Sequence, residues 1–317
     1  MRHWAWLRVA GAFLVAALLQ ITGTILIEGY SEEFAIRSLL TLSSLLAVAS
    51  VGQTFVVILG GIDLSVPFVI GFANVVAAQL YGSGVPFPLV CAIVVVLAAC
   101  IGAVNGVLSA WLRVHPLILT LGVGTAVQGA VLLWTAGFPT GSAPDALTNF
   151  VSIGAEAWFL PVPWVVPATV GLLAVLMLVL ARTPFGRRLY ALGSNPVAAR
   201  YALIGPIRMW TITYALSAVG AAVAGVLLLG FTGSAYADVG QPYLFQSIAA
   251  VVIGGTALTG GQGGFLGTVA GALVLTEINT LLIGLGLQPS LVQAALGAVI
   301  IVLVSLYGRG AHVRTTI

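Results

Sequence analysis

The chain has 317 residues, of which 60% are hydrophobic and only 6% charged. A soluble domain carries about 25% charged residues, so a mean hydropathy of +1.16 marks a chain dissolved in lipid and excludes an ordinary water-soluble enzyme. All eleven basic residues are Arg; without Lys there is no Walker A loop, whose Lys reaches the nucleotide phosphates, and ATP hydrolysis is not expected of this chain.

A span needs about 20 apolar residues. On that ruler ten segments qualify: 9–28, 35–59, 65–82, 88–112, 116–136, 163–181, 209–231, 244–260, 264–285 and 288–307. The expected fold is all-α, one polytopic transmembrane domain over 1–317. The first segment follows Arg2 and Arg8; it is longer than a signal-peptide core and no Ala-x-Ala site follows it, so it reads as a retained span. Cys91 and Cys100 fall nine residues apart in one span, on opposite helix faces, and read as apolar fillers. The connection 137–162 holds Pro139, Pro144 and Pro161 and is too short for a separate domain.

Charge orients the spans. With an inside N-terminus, Arg2, Arg8, Arg113, Arg182, Arg187, Arg188, Arg200, Arg208, Arg309 and Arg314 all fall in the cytoplasm, and only Arg37 falls outside. Ten of eleven on one side satisfies the positive-inside rule and places both termini in the cytoplasm. Glu28, Glu32, Glu33, Asp145, Glu156 and Asp238 fall outside. Charges scattered among spans speak against nucleic acid as a partner.

The chain also repeats itself. Val57-Ile-Leu-Gly-Gly-Ile-Asp-Leu64 is similar to Val251-Val-Ile-Gly-Gly-Thr-Ala-Leu258. Each copy ends an inward span and precedes an outward one, so the halves read as parallel repeats whose Gly-interrupted helices mark a transport path.

The richest connection is 182–208, which carries five arginines. Gly186 and Gly193 supply bends, Ser194 or Asn195 suits an N-cap, Pro196 suits the first helical position, and Val197–Leu203 reads as two turns stopped by Gly205 and Pro206. A two-turn helix is unstable alone, so this one needs a docking surface.

The segment Thr183-Pro-Phe-Gly-Arg-Arg-Leu-Tyr-Ala-Leu-Gly-Ser-Asn-Pro-Val-Ala-Ala-Arg200 resembles the coupling loop of ribose-type sugar ABC importer permeases. Gly60-Gly-Ile-Asp-Leu-Ser-Val66, Asn105-Gly106 with Leu117–Leu121, and Ile253-Gly-Gly-Thr-Ala-Leu-Thr-Gly-Gly-Gln-Gly-Gly264 match the same family, over about 35–307. Pro67 departs from it, standing where members usually carry Gly. The resemblance implies a type II ABC importer-like permease of a bacterial inner membrane that pairs with a second copy or a paralogue. It implies cytosolic ABC ATPase subunits that hold the ATP and Mg, with no cofactor in this chain. It also implies a periplasmic or lipoprotein-anchored sugar-binding protein that delivers a monosaccharide or polyol. ATPase coupling then falls on Gly193, Ser194, Asn195, Pro196, Ala198, Ala199 and Arg200. Nucleosides or a furanose-like signal molecule remain alternative cargoes.

Candidate pathway residues are polar groups at membrane depth. Asp63 either caps the helix that begins near Ser65 or handles substrate or gating. Glu277 either faces the pore and hydrogen-bonds sugar hydroxyls, or is paired between helices, or lies near the outer mouth. Gln53, Asn74, Asn105 and Asn279, with Gln246 and Gln293, offer neutral amides that suit hydroxyls, or interhelical hydrogen bonds. Gly102 with Gly106 reads as helix packing. His3, His115 and His312 lack ligand spacing. An ion-gradient transporter, the rival class, would want a network of intramembrane acids and bases, and only Asp63 and Glu277 are on offer.

Overall fold

The computed structural model describes residues 2–112, 114–158 and 160–308; Arg113, Arg309 and Arg314 lie outside the described residues. Among the described residues thirteen helices follow in order: α1 (Arg2–Leu26), α2 (Glu33–Leu59), α3 (Val66–Gly82), α4 (Phe87–Trp111), α5 (Pro116–Trp134), α6 (Asp145–Val151), α7 (Val165–Arg182), α8 (Pro184–Ser194), α9 (Pro196–Tyr201), α10 (Pro206–Thr232), α11 (Tyr243–Ile253), α12 (Phe265–Gly284) and α13 (Pro289–Gly308). Seven are long and apolar enough to cross a membrane, and shorter apolar helical stretches occur in α3, α11 and α13. Together these occupy the ten segments read from hydropathy, and the chain is an all-α polytopic membrane protein.

Burial sorts the helices. In its apolar window α2 is 94% buried, whereas α1, α4, α5 and α7 are between 17% and 22% buried. Lipid is as apolar as Leu, so in a membrane close packing and hydrogen bonds hold helices together rather than the hydrophobic effect. Two cores divide α2 between them: Phe55, Ile58 and Leu59 pack with Leu189, Phe265 and Leu275, while Leu45, Val48 and Ala49 pack with Ile70, Ala218 and Leu229.

Small residues allow the close contacts. A side chain on Gly102 or Gly106 of α4 would collide with the α10 backbone at Tyr214–Ala215 and Trp210–Thr211. Gly267 and Gly271 of α12 stand in the same relation to Gly254, just past the end of α11, and to Ala250 within it. Both pairs have four-residue spacing, which aligns them on one helix face.

The two Gly-Gly pairs both end helices. Gly60 closes α2 in the left-handed region, φ 92°, and Gly255, φ 85°, follows the end of α11. The 244–260 segment is therefore not one helix; it stops at Ile253 and returns through the loop 254–264. The two breaks touch, since Gly261 N–H donates to the Ile58 carbonyl at 2.8 Å. Pro67 sits in the first turn of α3, where its missing N–H costs no helical bond, so the departure from the family pattern leaves the helix intact.

Contacts gather the connections into two faces. Arg8 packs beside Gly255, and Gly193 packs on the Ile58 carbonyl, so α8, α9 and the Gly-rich loops share one face with five arginines of 182–208. On the opposite face Arg37 binds Glu33 and Glu156, Ser142 bridges to Ser234, and Tyr30 reaches Glu277.

Candidate functional site

The basic face is built around two helices, not one. Thr183 Oγ1 accepts from Gly186 N–H at 3.4 Å and Pro184 starts α8. Gly186 and Gly193, read as bends, instead lie inside α8; a side chain on either would strike the Leu180 or Ile58 carbonyl. Their role is close approach. The sequence did carry a signal for α8, since Arg187 and Arg188 lie opposite the buried Leu189 and Leu192 in the amphipathic pattern of a surface helix.

Asn195 caps α9, its Oδ1 accepting from Val197 and Ala198 N–H at 3.1 and 3.0 Å. Ser194 instead finishes α8, its Oγ donating to the Tyr190 carbonyl at 2.7 Å. The helix ends at Tyr201 rather than Leu203, because Leu203 turns to φ 58°. Gly205 and Pro206, read as its stop, are the N-cap and first residue of α10.

The faces of α9 differ. Ala199 is 3% exposed and belongs to the core with Leu189 and Leu192. Val197, Tyr201 and Leu203 are 64%, 86% and 92% exposed, and Pro196, Ala198 and Arg200 lie on the same open surface. Below them, Tyr190 donates its phenol proton to the Gly263 carbonyl at 2.7 Å, and burial pushes that phenol above its usual range. Tyr190, Gly193 and Gly261 thus link α8 and α9 to the ends of both broken segments.

Asp63 sits in a closed knot and is 1% exposed. Its Oδ1 accepts from Ser65 N–H at 2.9 Å and Ser65 Oγ at 2.6 Å, and its Oδ2 accepts from Ser217 Oγ of α10 at 2.7 Å. Asn105 of α4 donates to Ser65 Oγ at 2.9 Å, and Thr120 of α5 accepts from Leu64 N–H at 2.9 Å. One carboxylate therefore joins the break after α2 to α3, α4 and α10, with α5 alongside. Ser217 was missed from sequence; a lone hydroxyl in an apolar span carries no signal of its partner.

The other candidates do not converge with it. Asn74 is buried between α10 and the chain before α11, donating to the Gly225 carbonyl at 3.4 Å and accepting from Tyr236 N–H at 2.9 Å. Gln53 is fully buried in α2 and neither amide atom meets a protein partner. Glu277 is 3% exposed and accepts the Tyr30 phenol proton at 2.7 Å. That phenol is raised well above its usual value by burial and by Glu277, so Tyr30 remains a donor through neutral pH. Asn279, one turn and a half from the end of α12, lines a separate cavity of about 270 Å³ with Gln246 and Gln293.

Comparison with known proteins gives this arrangement a family. The family described as branched-chain amino acid transport system / permease component matches residues 35–304. The ribose import permease protein RbsC of Bacillus subtilis is 35% identical over 93% of this chain and 91% of its own length. RbsC of Haemophilus influenzae is 35% identical over 78% of this chain and 76% of its own length. The autoinducer 2 import system permease protein LsrD of Escherichia coli K12 is 33% identical over 82% and 79%. No solved structure matches. The chain belongs to this family of ABC importer permeases, and it is a transport subunit rather than an enzyme.

Proposed function

We propose that this chain forms half of the pore of a bacterial inner-membrane importer for a monosaccharide or polyol, moved by alternating access. Both termini and the α8–α9 face lie in the cytoplasm in this reading, supported by the arginines gathered there and by the positive-inside rule. A separate ABC ATPase docks on α9 and holds the ATP and Mg. A second copy or a paralogue completes the pore, and a binding protein delivers the solute to the opposite face. The names of the relatives, ribose and autoinducer 2 permeases, support a small polyhydroxylated cargo.

The observation that carries the reading is the open apolar surface of α9. Val197 and Tyr201 stand exposed on a six-residue helix, and Leu203 stands exposed just after it; such a helix has no stability of its own. Exposed apolar groups on a basic, capped platform offer a partner both contact area and orientation. Motion of α9 would pass through Gly193 to the end of α2 and through Tyr190 to the Gly-rich loop. Coupling then requires different contacts in the inward and outward states.

Ala198→Arg tests this, because it fills the exposed face while the buried Ala199 stays in place. The expected result is normal membrane content with ATP-driven uptake reduced at least tenfold. Wild-type uptake by that variant would remove α9 as the coupling surface. Uptake that survives ATP depletion under an imposed ion gradient would favour the secondary-transporter reading instead.

A further inference from the structure

Four side-chain amides meet at one place on the face opposite α9. Gln241 precedes α11, Gln246 lies in its first turns, Asn279 lies near the end of α12, and Gln293 lies in the first turns of α13. They surround the cavity of about 270 Å³, whose remaining wall includes the half-exposed ring of Phe245. None of the lining residues is charged. Among the described residues, none of the four amides makes a side-chain hydrogen bond to another protein group, in contrast to Asn74 and Asn105.

We infer that this cavity is a hydroxyl-binding station at the outer mouth of the solute path, a reading that rests on the importer function proposed above. A carboxamide both donates and accepts, so four of them can pair with hydroxyls of either sense without presenting a desolvated charge. An aromatic face beside them takes the C–H side of a sugar ring. A carboxylate or ammonium solute would find no counter-charge here, so the station selects neutral polyhydroxylated molecules over amino acids. Lipid supplies no partner for an amide, so a cluster of unpaired amides is placed where water or solute reaches it.

The test uses whole cells lacking this chain, complemented with wild type or variants. A panel of D-ribose, D-xylose, L-arabinose, ribitol and erythritol is screened for a solute whose ATP-driven uptake needs the chain. Asn279→Leu and Gln293→Met remove the amides at nearly constant volume; Gln293→Asn keeps one. Binding-protein capture sets the apparent KM, so the expected change is in maximal uptake. A fall of roughly fivefold for each apolar variant follows from losing about one hydrogen bond, with membrane content held and Gln293→Asn partly rescued. Discrimination between the solute and its deoxy analogues should shrink in the same variants.

Unchanged uptake and discrimination in both apolar variants overturns the station while leaving the importer reading in place. Loss of permease pairing without altered discrimination also overturns it, since the amides would then join two copies. If no polyhydroxylated solute in the panel depends on the chain, the cargo class falls and the station falls with it.

Discussion

Two polar regions of this molecule have opposite chemistry. Around Asp63 both carboxylate oxygens are hydrogen-bonded and the site is sealed from solvent. Around Asn279 the amides are unpaired and open into a cavity. A buried polar group that has found its partners serves the fold, because breaking any one contact leaves the others unsatisfied. Polar groups left open beside an apolar wall are available to something that arrives. The difference separates the knot that holds the broken helices from the open amides that we assign to solute.

The largest effect should come from breaking the knot. Asp63→Leu strands Ser65, Ser217 and Asn105 in the membrane interior, and about 3 kcal/mol of stability should be lost. Detergent-solubilised protein would then melt early and elute as aggregate; a wild-type melting curve would show that the knot is dispensable. Gly106→Val should be nearly as severe, since its side chain would enter the α10 backbone, and overpacking costs about 1–3 kcal/mol. The same thermal-shift measurement checks it.

Tyr30→Phe sharpens the comparison at a third site, where a carboxyl group has one side-chain donor. Removing the phenol should cost about 1.5–3 kcal/mol if Glu277 is ionised and about 1 kcal/mol if it is neutral. Tyr30 also carries a pH signature. Its folded pKa is raised, so the folded state holds the phenol proton longer than the unfolded chain. Its contribution is whole below the unfolded value of about 10 and declines as pH rises above it. The wild type should therefore lose thermal stability above about pH 10 more steeply than Tyr30→Phe; parallel profiles would dismiss the linkage. The smallest effect belongs to Asn195→Ala, which removes the α9 cap and should cost about 1 kcal/mol. That local loss should appear as faster amide exchange across Val197–Tyr201 with little change in overall melting.

Much of this fold was legible. Apolar length alone located the seven helices long enough to cross a membrane and three shorter apolar ones, because lipid forces backbone groups to be satisfied inside helices. Pro196 and Asn195 announced α9 through capping chemistry that acts over three residues. The sequence misled where the decisive contact is distant. Gly186 and Gly193 looked like bends but are sites of backbone approach to Leu180 and Ile58. Gly205 and Pro206 looked like a stop but begin α10. Ala199 looked equivalent to Ala198, yet one is buried and the other exposed; a six-residue helix has too little periodicity to separate its faces. Pairings such as Asp63 with Ser217, or Glu277 with Tyr30 across 247 positions, leave no local trace.

The central claim, that α9 is the seat of an ATPase, is tested most directly by gentle-detergent purification of the tagged chain from native membranes. Mass spectrometry of the wild type should find a Walker-containing ATPase in near-stoichiometric amount, and Ala198→Arg should lose it while remaining folded. An ATPase retained equally by both would contradict the assignment of α9, and a wild-type chain that purifies without any ATPase while still driving uptake would contradict the importer itself.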